Sequence, residues 1–318
     1  MSETKLQYQN KTYVFNPEDE NSVIKTKGKF NSVYKGICLE TQESVIIKKL
    51  NENLNNTKSI EQFKREFLFN INHPNIIQTI AYVEYLNNHY IIREFADGVD
   101  LKSLSQHKKF KLAEVVHYSL NILDALLALH EKGIIHCDIR PANIIVNEKT
   151  NDAKLIDLGL AKKKNDLEKS PFALIYSPPE QLLKIPKLIN ETSDLYSLGI
   201  VMYEWITGKI PFHHSNPEFM MNLQLTQSLE RNKKIPDVLF KVIQKATTKY
   251  AFKLPPKYFN EDELVKHLSE AQQQRFQNAR EMKDALLLVR KNLPESKSFF
   301  KTVIPSRLLS GLFRNLKT

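Results

Sequence analysis

In the N-terminal part of the chain, apolar and polar residues alternate in short runs, the pattern of half-buried strands. "KLQYQ" and "TYVF" flank Asn10-Lys11, which predicts a hairpin turning at those two residues. "SVIKTKGKFNSVYKGICL" and "ESVIIKKL" continue with β-branched residues, and "HPNIIQTIAYVEYL" and "HYIIREF" return to strand after one interruption. That interruption, "SIEQFKREFLFNI", changes period and sets Ile60, Phe63 and Phe67 on one helical face. "ADGVD" breaks the pattern, and beyond it helices dominate. From Ala113 to Glu131, Val116, Leu120, Leu123 and Leu127 recur at helical spacing, and Gly133 is a natural stop. A mainly-β part holding one helix, followed by a mainly-α part, predicts an α+β, bilobal plan. The expected lobes are 1–94, with the extra hairpin at its start, and 95–292.

Two later stretches stand apart. "NEDELVKHLSEAQQQ", within a stretch covering 249–274, predicts a helix with Asn260 as N-cap and Glu263 completing a capping box. In the tail, 293–318, Leu308, Leu309, Leu312, Phe313 and Leu316 share one helical face, with Arg307, Arg314 and Lys317 elsewhere. Such a helix more often packs back on its own domain, and its basic amphipathic character also suits a weak contact with anionic membrane or a partner.

Composition narrows the class. With 318 residues, 42% of them hydrophobic, the chain can bury a large core. No run reaches the roughly 18 apolar residues of a membrane span, and "MSETKLQYQN" has no apolar signal core. The expectation is a cytoplasmic protein, with export as an effector lacking a cleaved signal left open. The two cysteines, Cys38 and Cys137, sit in unrelated contexts and predict neither a disulfide framework nor a metal cluster. The net charge of +10 comes without a dense basic run interleaved with aromatics, so no nucleic-acid partner is expected.

Four features suit phosphoryl transfer, which needs phosphates positioned, Mg²⁺ held and a hydroxyl aimed. Lys48 ends "VIIKKL" and can hold phosphate oxygens if an acid on the next helix fixes it; Glu66 in "FKREF" is the candidate. "HCDIRPANII" carries Asp138, able to accept a hydroxyl proton, and Asn143, whose amide oxygen can ligate Mg²⁺. "KLIDLGLA" places Asp157 after an apolar strand as the second metal ligand, and "IYSPPEQ" closes the loop that follows. Each is weak alone, since one Lys and one Glu are usually a solvated pair.

Together, in this order, they resemble the eukaryotic-like (Hanks-type) Ser/Thr protein kinases over roughly residues 20–290. The resemblance implies a protein kinase-like fold and transfer of the γ-phosphate of ATP, with Mg²⁺, to Ser or Thr of a protein substrate. It assigns catalysis to Asp138, Lys48, Glu66 and Arg140, and metal binding to Asn143 and Asp157. It assigns the nucleotide to Gly28, Val33, Ile46, Lys48, the hinge at Glu94 and Ala96, the ribose contact Asp100, and Ile145. It further implies that Asp194 in "SDLYSLGIVMYEWITGKIPF" holds the catalytic loop from beneath, and that Arg275 in "RFQNAREM" pairs with Glu180. Small-molecule kinases share the Asp and Asn loop but lack "PPE", "SDLYSLG" and the late Arg.

The chain departs from the family pattern at several places. Of the usual three loop glycines only Gly28 remains, with Thr26 and Asn31 at the other two positions. Ile46 stands where Ala is usual, and Arg93 occupies the position that gates the pocket behind the adenine. Arg93 is expected either to pair with Glu66 or Asp157, in competition with Lys48, or to reach solvent. Leu158 replaces Phe after Asp157, and Ala173 replaces the substrate-side Thr. Glu66 lies two residues closer to His73 than the pattern asks, and strict counting selects Lys64; the need of Lys48 for an anion selects Glu66. Cys137 replaces the Arg whose charge an activation-loop phosphate neutralises, which implies activity without phosphorylation at Ser170 or Ser177. The alternative function is a pseudokinase, a nucleotide-binding or scaffold module without turnover.

Overall fold

The computed structural model describes residues 3–25, 30–168 and 172–293. Gly28, Thr26, Ser170 and nearly all of the tail lie outside the described residues.

The N-terminal region is an antiparallel sheet. Its strands are β1 (Thr4–Tyr8), β2 (Lys11–Phe15), β3 (Val23–Lys25), β4 (Asn31–Cys38) and β5 (Ser44–Leu50), then helix α1 (Thr57–Leu68), then β6 (Thr79–Tyr85) and β7 (Asn88–Glu94). The order is β1-β2-β4-β5-β7-β6, with β3 against β4. The first hairpin turns one residue earlier than expected, at Gln9-Asn10, because Tyr8 pairs with Lys11. This register sets Leu6 opposite Tyr13, both buried in the core, and Gln9 adopts a positive φ of 51° to allow it.

Strand alternation decides what each face of this sheet does. Val45 and Ile47 of β5, with Tyr90 and Ile92 of β7, join Leu6, Tyr13 and Phe15 in one apolar cluster. The alternate residues Leu50 and Ile91 pack with Phe63 of α1 on the other face. Lys48 and Arg93 share that second face by parity, and Glu66 follows Phe63 by about one helical turn. Two cations and one carboxylate are therefore brought together by two periodicities. α1 starts at Asn56, whose side chain accepts the Ser59 N–H at 3.0 Å. Its Phe67 departs from the Ile60–Phe63 cluster and meets Tyr8 of the extra hairpin edge-on, with ring centroids 6.5 Å apart.

After Glu94 the chain passes through β8 (Val99–Asp100) into α2 (Leu101–His107) and α3 (Leu112–Glu131). α3 is by length and apolarity capable of crossing a membrane, contrary to the expectation that no run is. Here it is the core helix of the C-terminal region, with Val115, Val116, Ile122, Leu123 and Leu126 fully buried, which is why it is apolar on more than one face. Gly133 ends it at φ +65°. β9 (Ile134–Ile135), β10 (Ile144–Asn147), β11 (Asp152–Leu155) and β12 (Lys162–Lys163) form two small antiparallel sheets that carry the functional loops. Helices α4 (Pro179–Leu182), α5 (Glu191–Thr207), α6 (Pro217–Thr226), α7 (Asp237–Ala246), α8 (Glu261–Gln273) and α9 (Ala279–Asn292) complete the region. α8 has the predicted capping box: Asn260 accepts the Glu263 N–H and Glu263 accepts the Asn260 N–H, each at 2.9 Å. Its Leu268 is buried with Leu182, Ile185, Leu225 and Phe252, so this helix supports the chain just after "PPEQ".

Candidate active site

Lys48, Glu66, Asp138, Arg140 and Asp157 line one cavity of about 290 Å³ between β5, α1 and the loops after β9 and β11. The Lys48 ammonium lies 2.6 Å from Glu66 Oε2 and 3.2 Å from Asp157 Oδ2. Glu66 is thus the acid that Lys48 needs, while Lys64 points its ammonium at the Tyr82 ring, 4.9 Å from the centroid. Arg93 is buried rather than solvent-facing, and its Nη1 lies 3.0 Å from Glu66 Oε1. Nη1 also donates to the Ile156 carbonyl, directly before Asp157. The two cations do not compete: each takes a different oxygen of one carboxylate. Burial raises the Asp157 carboxyl, but the charges of Lys48 and Arg93 outweigh it and hold that carboxyl well below the usual range, helped by the Gly159 N–H at 2.9 Å from Oδ1. A side chain on Gly159 would put its Cβ 3.0 Å from that same oxygen.

The Asp138 loop is held from below. Asp194 accepts the backbone N–H groups of His136 and Cys137, each at 2.9 Å, as the resemblance implies. His130 Nε2 meets the same carboxylate at 2.8 Å, and Gln181 donates to the Cys137 carbonyl at 3.1 Å. Neither His130 nor Gln181 carried a sequence signal, since each acts through the fold on a group far along the chain. Cys137 takes a positive φ of 65° and is buried with Ile135 and Ile189. Burial, then the Asp194 charge, pushes its thiol well above the ordinary value.

Asp138 Oδ2 accepts from Asn143 Nδ2 at 2.7 Å and from Arg140 Nε at 3.1 Å. Asn143 Nδ2 also donates to the Asp138 carbonyl at 2.9 Å, which leaves its amide oxygen as the remaining donor of electron density. Asp138 Oδ1 is buried without a hydrogen-bond partner. Burial raises the Asp138 carboxyl to about 6, against Arg140 and with the help of the neighbouring Asp157 charge. Asp138 lines the cavity, and a carboxylate with a raised affinity for protons and one oxygen free of hydrogen bonds is what a proton acceptor requires.

The residues assigned to the nucleotide lie around the seam between sheet and helices. Val33 pairs with Lys48 and Ile46 with Arg93 in the sheet, and Ile145 pairs with Asp100; the three apolar side chains are half-buried. Glu94 and Ala96 are half-buried at the crossing, where Lys154 binds Glu94 Oε1 at 2.8 Å. The crossing needs Gly98, at φ +135°, because a Cβ there would sit 2.5 Å from the Val146 carbonyl oxygen. Asp100 caps α2, accepting the Ser103 N–H at 2.9 Å and its hydroxyl at 2.6 Å. Leu158 fills its apolar slot in the large core cluster. Ser177 is buried, and Tyr176 donates to Glu204 at 2.8 Å. Arg275 and Glu180 form a fully buried pair at 2.7 and 3.2 Å, as expected.

Among the described residues no group of three or more His, Cys, Asp or Glu side chains is placed to hold a metal. Asn143 and Asp157 offer hard oxygen donors beside the cavity, a set that fits Mg²⁺ when nucleotide oxygens and water complete the coordination.

Comparison with known sequences agrees with this geometry. A family described as Protein kinase domain matches residues 26–287. The serine/threonine-protein kinase RUNKEL of Arabidopsis thaliana is 36% identical over 192 residues, 58% of this chain and 14% of that protein. The probable serine/threonine-protein kinase PknB of Lactococcus lactis is 30% identical over 247 residues, 73% of this chain and 39% of that protein. The Aurora kinase of Dictyostelium discoideum is 34% identical over 191 residues, 58% of this chain and 49% of that protein. The chain therefore spans at most about half the length of these relatives.

Proposed function

The chain belongs to the protein kinase family, and from that premise we propose that it transfers the γ-phosphate of ATP to Ser or Thr hydroxyls of a protein substrate. The observation that carries this reading is the unpartnered, buried Oδ1 of Asp138, beside Lys48 already fixed by Glu66. In this reading the Lys48 ammonium holds phosphate oxygens of the nucleotide. The substrate oxygen forms the new bond to the γ-phosphorus as the bridge to the β-phosphate breaks, ADP leaves, and the hydroxyl proton passes to Asp138 Oδ1. Arg140, its charge set against Asp138 Oδ2, faces the transferred group with positive charge. Asn143 and Asp157 would hold Mg²⁺, which supplies charge neutralisation at the phosphates.

A nucleotide-binding module without turnover is not favoured. The features that suit it are the Gly-poor loop, Ile46 and Arg93. Arg93, however, reinforces the Lys48–Glu66 arrangement instead of dismantling it. Transfer of radiolabelled phosphate from ATP to the protein itself and to a generic basic substrate, with Asp138→Ala as control, tests the proposal. Signal that depends on Asp138 is expected, and equal signal from the two proteins would overturn it.

A further inference from the structure

Helix α1 carries Glu66 on one side and, on the neighbouring residue, Arg65 on another. Arg65 Nη2 binds Glu168 Oε2, and Lys58 Nζ, also on α1, lies 3.4 Å from Glu168 Oε1. Glu168 belongs to the loop that runs from Asp157 toward "PPEQ". Its backbone is anchored independently. The Glu168 carbonyl accepts from Lys162 Nζ at 2.6 Å, and its N–H donates to Asp166 Oδ1 at 2.8 Å. Lys162 is almost fully buried and sits on β12, paired with Ile135 immediately before the Asp138 loop. One residue thus ties together the helix that positions Glu66, the loop after Asp157 and the strand beside the Asp138 loop. The Arg65 hydrogen bond first, and its charge and that of Lys58 after it, keep the Glu168 carboxyl below its ordinary value, so it is anionic across the neutral range.

An anion in such a loop, set against cations of a helix, is the arrangement that a phosphate creates when it orders a segment through Arg pairs. Here a carboxylate encoded in the sequence occupies it, and Cys137 brings no further cation that would demand a second negative group. We propose that Glu168 is a positioning residue: a permanent anionic latch that holds α1, and with it Glu66, in the working position without phosphorylation of this loop. The consequence for rate rests on the phosphotransfer reading above, whereas the consequence for α1 does not.

The test uses the full chain with Glu168→Gln, with Ser170→Ala, and with the charge exchange Arg65→Glu plus Glu168→Arg. Hydrogen exchange of residues 57–68 is measured together with turnover at saturating ATP. Glu168→Gln is expected to speed amide exchange in 57–68 and lower kcat by about three- to fivefold, the scale of a partly exposed ion pair. The charge exchange is expected to restore part of both, since Lys58 keeps its charge beside position 168, and a loss of general packing would restore neither. Unchanged exchange in 57–68 for Glu168→Gln overturns the proposal. So does a Ser170→Ala protein that alone reproduces the loosening, since the effective anion would then be a phosphate. Absence of Asp138-dependent transfer in the unmodified chain would remove the kinase reading, and exchange alone would then decide the latch.

Discussion

Arg93 and Lys48 share Glu66: one guanidinium nitrogen lies 3.0 Å from Oε1 and one ammonium 2.6 Å from Oε2. The position that the resemblance places behind the adenine is filled by a buried charge that binds the same carboxylate as Lys48. Arg93→Met would strip one oxygen of a buried carboxylate of its partner. A charged hydrogen bond of this kind stabilises by about 1.5–3 kcal/mol, and urea unfolding should show a loss of that order. Turnover should fall with it, because Glu66 is then fixed by Lys48 alone. Unchanged stability and turnover in Arg93→Met would show that the shared carboxylate is incidental.

With Asp138 as the proton acceptor proposed above, turnover should depend on pH. Its carboxyl is raised to about 6 by burial, so the proton-accepting form is lost as pH falls through that value. The acidic limb of kcat/KM against pH should therefore bend near 6, and Asp138→Asn should abolish it together with activity.

The same shift predicts a trade between stability and function. Between about 4 and 6 the folded protein keeps a proton that the unfolded chain has released, so stability declines as pH rises through that window. Above it the full cost remains, at most about 3 kcal/mol for a shift of this size. Asp138→Asn should accordingly raise the unfolding midpoint at pH 7.5 by more than at pH 4.5, and an equal shift at both would contradict the assignment.

Glu180 and Arg275 are fully buried and bound to each other through two hydrogen bonds. Burial raises the Glu180 carboxyl, and the Arg275 charge outweighs it. Arg275→Leu leaves that carboxylate in the core without a countercharge, with the Ser193 hydroxyl still donating to it at 2.8 Å, and should cost about 3–5 kcal/mol in chemical denaturation. The nearby backbone would suffer too, since Arg275 Nε also holds the Thr248 carbonyl at 2.7 Å.

Both cysteines are free and buried, and burial disfavours the Cys137 thiolate. A thiol-reactive disulfide reagent at pH 7.5 should label neither in the folded protein and both after denaturation. Rapid labelling of Cys137 in the folded state would point instead to an exposed Asp138 loop.

The sequence by itself determined the two-lobe plan, because strand and helix periods separate cleanly at "ADGVD", and it determined the chemical parts, because Lys48, Asp138, Asn143 and Asp157 keep their order. It fixed the α8 cap through Asn260 and Glu263, since that signal is local. Counting residues pointed to Lys64, and only the need of Lys48 for an anion selected Glu66. The register of β5 and β7 shows why that choice holds, because it puts Lys48 and Arg93 on the face of Phe63, beside Glu66. The sequence could not say whether Arg93 opposed or supported Lys48, because that depends on which oxygen of one carboxylate each cation reaches. The roles of His130, Gln181 and Glu168 were equally hidden. Each meets its partner across a long stretch of chain, and only tertiary packing brings such groups within hydrogen-bond distance.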